Sequence, residues 1–258
     1  MEMSGNTILI TGGGSGIGRG LAEAFQAAGN KVVIAGRRKQ LLDEVAAANP
    51  GMGSLVLDIG DAGSIRSFAA QVASEYPELN VVIHNAGIMR PEDLHRAQTA
   101  DAEAMIATNL LGPMRLTAEL LPGLLKQRRA TLMTVTSGLA FVPIAMTPTY
   151  CATKAGLHSW TESLRYQLRE SSIQVLELIP PYVQTELMGE RQATDPNAMP
   201  LSDFVAETME ILKSSPQAEE ICVERVNGLR MAERSGHYEA VFKGLNEQAT
   251  AAFLAHMS

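Results

Sequence analysis

The sequence predicts an α/β fold: a single doubly wound domain over residues 1–258, with a mostly parallel seven-stranded sheet and helices on both faces. Three observations predict it. Short, near-continuous apolar runs alternate with helical stretches from residue 7 onward, as expected for strands buried on both faces. A glycine-rich loop leaves the first of these runs and opens the first helix. No internal repeat, low-complexity linker or acidic tail divides the chain.

The elements follow in order. Thr7–Thr11 (TILIT) reads as the first strand, with a helix from about Ile17 to Ala28. Lys31–Gly36 (KVVIAG) is the second, followed by a helix to about Ala48. Ser54–Asp58 (SLVLD) is the third, with a helix from about Asp61 to Glu75. Leu79–His84 (LNVVIH) is the fourth, followed by a polar loop and a helix from about Asp101 to Lys126. Thr131–Thr136 (TLMTVT) is the fifth. Residues 148–170 then predict one long amphipathic helix: a Pro lies in its first turn, and Leu157, Trp160, Leu164 and Leu168 share a side opposite Glu162, Arg169 and Glu170. Ile173–Ile179 (IQVLELI) is the sixth strand and Glu220–Val223 the seventh. Between them, prolines and polar residues interrupt regular structure around 181–200. Ligands of open α/β sheets bind beyond the carboxyl ends of the strands, so this segment is expected to cover a bound substrate; a plain surface loop has the same composition.

A chain of 258 residues that is 46% hydrophobic can bury a sizeable core. Its net charge of −7 repels nucleic acid and anionic membranes, so neither is an expected partner. No apolar run approaches the length of a membrane span, and no basic segment precedes an apolar run at the N-terminus. Two cysteines, Cys151 and Cys222, are too few for a disulfide framework, and the simplest setting is a reduced cytoplasm. The five histidines, His84, His95, His158, His237 and His256, show no metal-ligand spacing, so no metal is expected.

The first loop, Thr11-Gly12-Gly13-Gly14-Ser15-Gly16-Ile17-Gly18, joins a strand to a helix, so its amides and the helix N-terminus make a phosphate site. Glycines there admit unusual φ and let a pyrophosphate approach the backbone. This predicts Rossmann-type dinucleotide binding. At the end of the second strand, Ala35-Gly36-Arg37-Arg38 offers two guanidiniums and no carboxylate, so NADP(H) is expected in preference to NAD(H). Tyr150 and Lys154 lie one turn apart at the edge of the apolar stripe. An ammonium about 4 Å from a phenol is worth about 4 kcal/mol at an effective dielectric near 20, enough to bring the phenol toward neutral pH as a proton donor. A packed Tyr beside a snorkelling Lys is the bland reading of the same spacing.

In order and spacing these pieces resemble the classical short-chain dehydrogenase/reductase family from about Thr7 to Thr185. The glycine loop is similar to its Thr-Gly-x-x-x-Gly-x-Gly pattern through Thr11, Gly12, Gly16 and Gly18; Asn85-Ala86-Gly87 to its Asn-Ala-Gly element; and Asn109, Ser137, Tyr150 and Lys154 to its catalytic tetrad. The stretches SGLAFVP, YCATKAGLHS and IPPYVQTEL most resemble the DltE-type oxidoreductases of that family. The resemblance implies that Gly12, Ser15, Gly16, Ile17 and Gly18 receive the pyrophosphate, and that Arg37 and Arg38 face the ribose phosphate. It also implies Asp58 and Ile59 beside the adenine, Asn85, Ala86 and Gly87 under the cofactor, and Val183 and Thr185 at the nicotinamide carboxamide. Pro180-Pro181 departs from the family's Pro-Gly, so contacts inferred for that loop lose a backbone donor.

The implied activity is NADP(H)-dependent interconversion of a carbonyl and an alcohol. Tyr150 would exchange the proton, Lys154 support it and hold the ribose, Ser137 bind the carbonyl oxygen, and Asn109 hold a water that links Lys154 to solvent. A catalytically silent dinucleotide-binding sensor or scaffold uses the same fold. Family resemblance implies a homodimer or homotetramer through the helices at 101–126 and 148–170. Leu139, Phe141, Val142, Met146, Met188 and Met199 flank the expected cleft and suggest a partly apolar substrate. His237 and Tyr238 are candidates to reach the site from the C-terminal segment, whereas Cys151 points about 100° away from Tyr150 along the helix and reads as packing.

Overall fold

The β-branched run TILIT forms β1 (Thr7–Thr11), all of it buried. Ile8 and Ile10 enter the core on one side of the sheet and Leu9 the core on the other, the period-two alternation of a strand covered on both faces. Four further runs do the same: β2 (Lys31–Gly36), β4 (Val81–His84), β5 (Ala130–Val135) and β6 (Ile173–Ile179); two short edge strands, the partly exposed β3 (Gly53–Val56) and β7 (Glu220–Cys222), complete the sheet. In this computed structural model, which describes residues 1–96 and 98–254, the strands run in the order β3-β2-β1-β4-β5-β6-β7 and every pair is parallel. The winding reverses between β1 and β4, which opens a crevice beyond their carboxyl ends.

Helices cover both faces. On one, α1 (Gly16–Ala27), α2 (Lys39–Ala48) and α8 (Leu201–Ser214) bury Leu21, Phe25, Leu42, Phe204 and Leu212. Between β6 and α8 lies the short α7 (Glu190–Thr194). On the other face, α3 (Ala62–Glu75), α5 (Gly112–Leu124) and α6 (Pro148–Leu168) bury Phe68, Leu116, Leu120 and Leu164, with α4 (Ala100–Ile106) leading into α5. Two helices, α9 (Asn227–Arg230) and α10 (Tyr238–Leu254), follow β7.

The structure departs from expectation in four places. β3 ends at Val56, so Asp58 lies past the strand in the turn toward α3. The expected helix at 101–126 is α4, a π-helical turn over Ala107–Leu111, and α5. The cause is local: in an α-helix residue 113 donates to the carbonyl of residue 109, and Pro113 has no N–H, so the turn widens around Asn109. The segment 181–200 is more than an irregular loop, because Val183 and Met199 form a parallel bridge and α7 lies between them. Finally, α8, α9 and α10 extend the helical layers beyond the last helix expected from the sequence.

Candidate active site

The glycine loop is shaped by what it must avoid. Gly12 sits at φ +70°, and a Cβ there would lie 2.9 Å from the Ala86 Cα. Gly16, at φ +52°, faces Thr185 across the cleft, where a Cβ would come within 3.4 Å of that side chain. Ser15 caps α1 with extended backbone, yet its hydroxyl makes no capping bond; it accepts from Arg38 Nη2 at 2.8 Å. The first amides of α1 are thus left to an anionic ligand. Thr11 Oγ1 accepts from the amides of Asn85 and Ala86 at 3.0 and 3.1 Å, and Asn85 Nδ2 donates to the Thr11 carbonyl at 2.9 Å. These bonds tie the end of β1 to the end of β4 and fix the floor under the loop.

The reactive side chains come from the other half of the sheet. Ser137 follows β5, where its Oγ accepts from the Leu139 amide at 3.1 Å. Tyr150 and Lys154 lie one turn apart on α6, with Lys154 Nζ 5.6 Å from the centre of the Tyr150 ring. Both are almost wholly buried, at 5% and 4% exposure. Lys154 Nζ donates to the Val135 carbonyl at 2.8 Å, which aims the amine at the end of β5. Burial draws Lys154 down to about 8, against the pull of the Glu177 carboxylate. For Tyr150 burial pushes the phenol well above its ordinary value, with the neighbouring Ser137 hydroxyl pulling the other way. The expected lowering of the phenol by Lys154 is therefore corrected: burial of the phenolate dominates, and the pull that opposes it comes from Ser137.

These groups share one cleft of about 440 Å³ beyond the carboxyl ends of the strands, the size of a ligand site. A family model described as short chain dehydrogenase matches residues 6–196. The chain belongs to that family. Its relatives include the "uncharacterized oxidoreductase DltE" of Bacillus subtilis strain 168, 39% identical over 254 residues, which covers 96% of this chain and 99% of the relative. An NADP-dependent 3-hydroxy acid dehydrogenase of Schizosaccharomyces pombe is 31% identical over 206 residues, covering 75% of this chain and 80% of that one. A short-chain dehydrogenase structure from Streptomyces avermitilis superposes with a TM-score of 0.78 at 25% identity, covering 96% of this chain and 97% of that one.

Of the catalytic and cofactor-binding residues expected from the sequence of this short-chain dehydrogenase, all but Gly18, Asp58 and Asn109 line the cleft, whereas none of Leu139, Phe141, Val142, Met146, Met188 and Met199 does. Gly18 lies beneath it: a Cβ there would fall 2.4 Å from Asn85 Nδ2 and from the Gly12 carbonyl, so it lets α1 close on the loop. Asp58 turns its carboxylate to the Gly60 amide at 3.0 Å, leaving Leu57 and Ile59 as the cleft wall. Asn109, fully buried in the π turn, bonds both the amide and the carbonyl of Ile88 at 2.9 Å and Thr153 Oγ1 at 3.2 Å. Its side chain thus holds the strand exit against α6.

Other residues complete the site. Gln192 on α7 is buried against the cleft and donates to the Val183 carbonyl at 2.8 Å and Thr185 Oγ1 at 3.0 Å. Glu92 accepts from the Thr149 amide and hydroxyl at 2.9 and 2.7 Å, capping the first turn of α6 from outside. Around Tyr150, Met89, Leu139, Met146, Leu245 and Ala249 form an apolar cluster. The C-terminal segment packs on this cluster through Leu245 and Ala249 of α10; His237 and Tyr238 sit exposed where α10 begins. Phe141 packs edge-on to His158, Val142 is wholly buried, Met188 is exposed, and Met199 belongs to the sheet core. His256 lies outside the described residues.

Proposed function

We propose that this oxidoreductase interconverts a carbonyl and an alcohol with NADP(H), using Tyr150 as the proton donor and acceptor. The observation that carries the reading is the single cleft joining a glycine cradle, which side chains would fill, to Ser137, Tyr150 and Lys154. The residues present fit a dinucleotide: the α1 amides would receive its pyrophosphate, Arg37 and Arg38 its ribose phosphate, and Val183 and Thr185 its nicotinamide end. Preference for NADP(H) rests on those two arginines and on the lack of a carboxylate at the end of β2.

When bound in its reduced form, the nicotinamide supplies the hydride that reaches the carbonyl carbon. The chain's own part is to orient and to move a proton. Ser137 Oγ holds the carbonyl oxygen toward Tyr150, which gives its proton to that oxygen as the oxygen gains negative charge. Lys154, fixed on the Val135 carbonyl, stabilises the phenolate left behind. Asn109, in the π turn between α4 and α5, supports the return of a proton through water. The apolar cluster around Tyr150 favours a substrate that is partly apolar, and the segment 181–200, pinned by Gln192, covers it.

Exposed Ile106, Leu111, Leu125 and Tyr166 on α4, the π turn, the α5 end and α6 support pairing into a homodimer or homotetramer through these helices. No helix among the described residues is long and apolar enough to cross a membrane. Free Cys151 and Cys222 accord with a cytoplasmic setting. Turnover of ketones, aldehydes and secondary alcohols followed by NADPH absorbance tests the reading. Tyr150→Phe is expected to lower kcat by about 10³-fold or more while NADPH affinity stays within about twofold. Near-normal turnover in that variant overturns the assignment, and tight NADPH binding without turnover of any carbonyl favours a sensor.

A further inference from the structure

Behind the reactive pair stands a group of charges that the proposed reaction does not use. On one face of α6, Tyr150, Lys154, His158 and Glu162 follow one another at intervals of one turn, running from the buried cleft to solvent. Facing them from β6 is Glu177, fully buried. Its Oε1 accepts from Thr136 Oγ1 at 2.6 Å, and its Oε2 lies 2.8 Å from His158 Nδ1. His158 Nε2 lies 3.7 Å from Glu162. Both ring nitrogens thus meet carboxylates, the arrangement of an imidazolium with two N–H groups.

Ligand atoms of His158, Glu177 and Glu220 lie within 4.8 Å of one another, a spacing that a metal ion could use. The neighbours argue for a charge network instead. Arg230 holds both oxygens of Glu220 at 2.7 Å, and Thr136 and His158 hold Glu177. Glu220, Arg230 and Cys222 are the other titratable groups facing this cluster from β7 and α9.

We propose that Glu177, held between Thr136 and His158, is the buried counter-charge of Lys154 and a positioning residue for proton transfer at Tyr150. The inference rests on the reading of Tyr150 and Lys154 as the proton-exchanging pair. The geometry supports it through one short stretch of β5: Val135 accepts from Lys154 Nζ, and the next residue, Thr136, donates to Glu177. An interior ammonium facing only a neutral carbonyl would shed its proton readily. Burial lowers Lys154 to about 8, and the Glu177 charge opposes that fall. Without the carboxylate, Lys154 would lose its proton within the neutral range and could not steady a phenolate.

The test follows the titration of Lys154 in the ligand-free full chain by ¹³C NMR of labelled lysine, with the signal assigned through Lys154→Met. Glu177→Gln is expected to move the midpoint down by about one pH unit. His158→Gln, which removes the opposing positive charge and leaves the carboxylate, moves it up. The high-pH limb of kcat/KM for carbonyl reduction shifts in the same directions. An unchanged midpoint in Glu177→Gln overturns the proposal. So does a downward shift in His158→Gln, because a general loosening of the network would act alike in both variants. If Glu177→Gln does not fold, the His158→Gln titration decides alone, upward in support, and downward or unchanged against. Lack of turnover with every carbonyl defeats the oxidoreductase reading without touching the NMR result.

Discussion

At the glycine-loop end of the cleft the chain packs on itself at close range: a Cβ on Gly12 would lie 2.9 Å from the Ala86 Cα, one on Gly18 2.4 Å from the Gly12 carbonyl and from Asn85 Nδ2, and the Thr11 hydroxyl bolts β1 to β4. At the substrate mouth the walls are held by side chains reaching across the chain. Asn246 on α10 bonds the carbonyl of Pro143 and the amide of Ala145, Gln192 spans Val183 and Thr185, and Glu92 caps α6. The first end tolerates almost no change in shape, because the chain there is packed so closely that only glycine leaves room at positions 12 and 18. The second end can be re-cut by altering single side chains while the sheet stays intact. A scaffold built this way can keep its cofactor and change its substrate.

Substitutions at each end sharpen this contrast. Gly18→Ala sets a methyl against the Gly12 carbonyl and should cost about 3 kcal/mol, lowering Tm by roughly 6–12 °C, with coenzyme binding weakened as α1 is pushed off the loop. Thermal melts and NADPH titration check it; an unshifted Tm would break the claim that this end is rigid. Arg37→Asp should swing the NADP-to-NAD ratio of kcat/KM by about 100-fold toward NAD, by adding repulsion to the phosphate and an acceptor for the ribose hydroxyl. The ratio measured with one carbonyl substrate decides, and an unaltered ratio removes Arg37 from cofactor choice. Gln192→Ala has the smallest expected effect, about a tenfold rise in KM with kcat little changed, since it unpins Val183 and Thr185 without touching Tyr150. A fall in kcat alone would mean that the covering segment takes part in chemistry rather than in holding ligand.

The same contrast governs what the sequence reveals. β1, β2 and β6 fall on the expected residues because apolar period and turn glycines are local signals. The glycine loop, Asn85-Ala86-Gly87 and Tyr150–Lys154 are legible for that reason too, each a short pattern fixed to one element. The break at Asn109 was written in the chain as Pro113 four residues on, but the apolar run through Leu110, Leu111 and Leu116 disguised it as one helix. Asp58 is placed beside the adenine by the family resemblance, whereas β3 ends two residues earlier and the Asp58 carboxylate turns to the Gly60 amide. The sign of the Tyr150 shift depends on burial by distant segments, which spacing on one helix does not encode. Glu92 and Thr149 are 57 residues apart, and Ala145 and Asn246 are 101 apart. No local pattern joins such partners.

The bond between Ala145 and Asn246 joins segments 101 residues apart, so the cluster beside Tyr150 closes only when α10 is seated on it. The glycine loop depends on no such distant partner for its floor, because β1, α1 and β4 all lie between Thr7 and His84. A truncation within α10 is therefore expected to leave the seven strands in place and to loosen the packing beside Tyr150 alone.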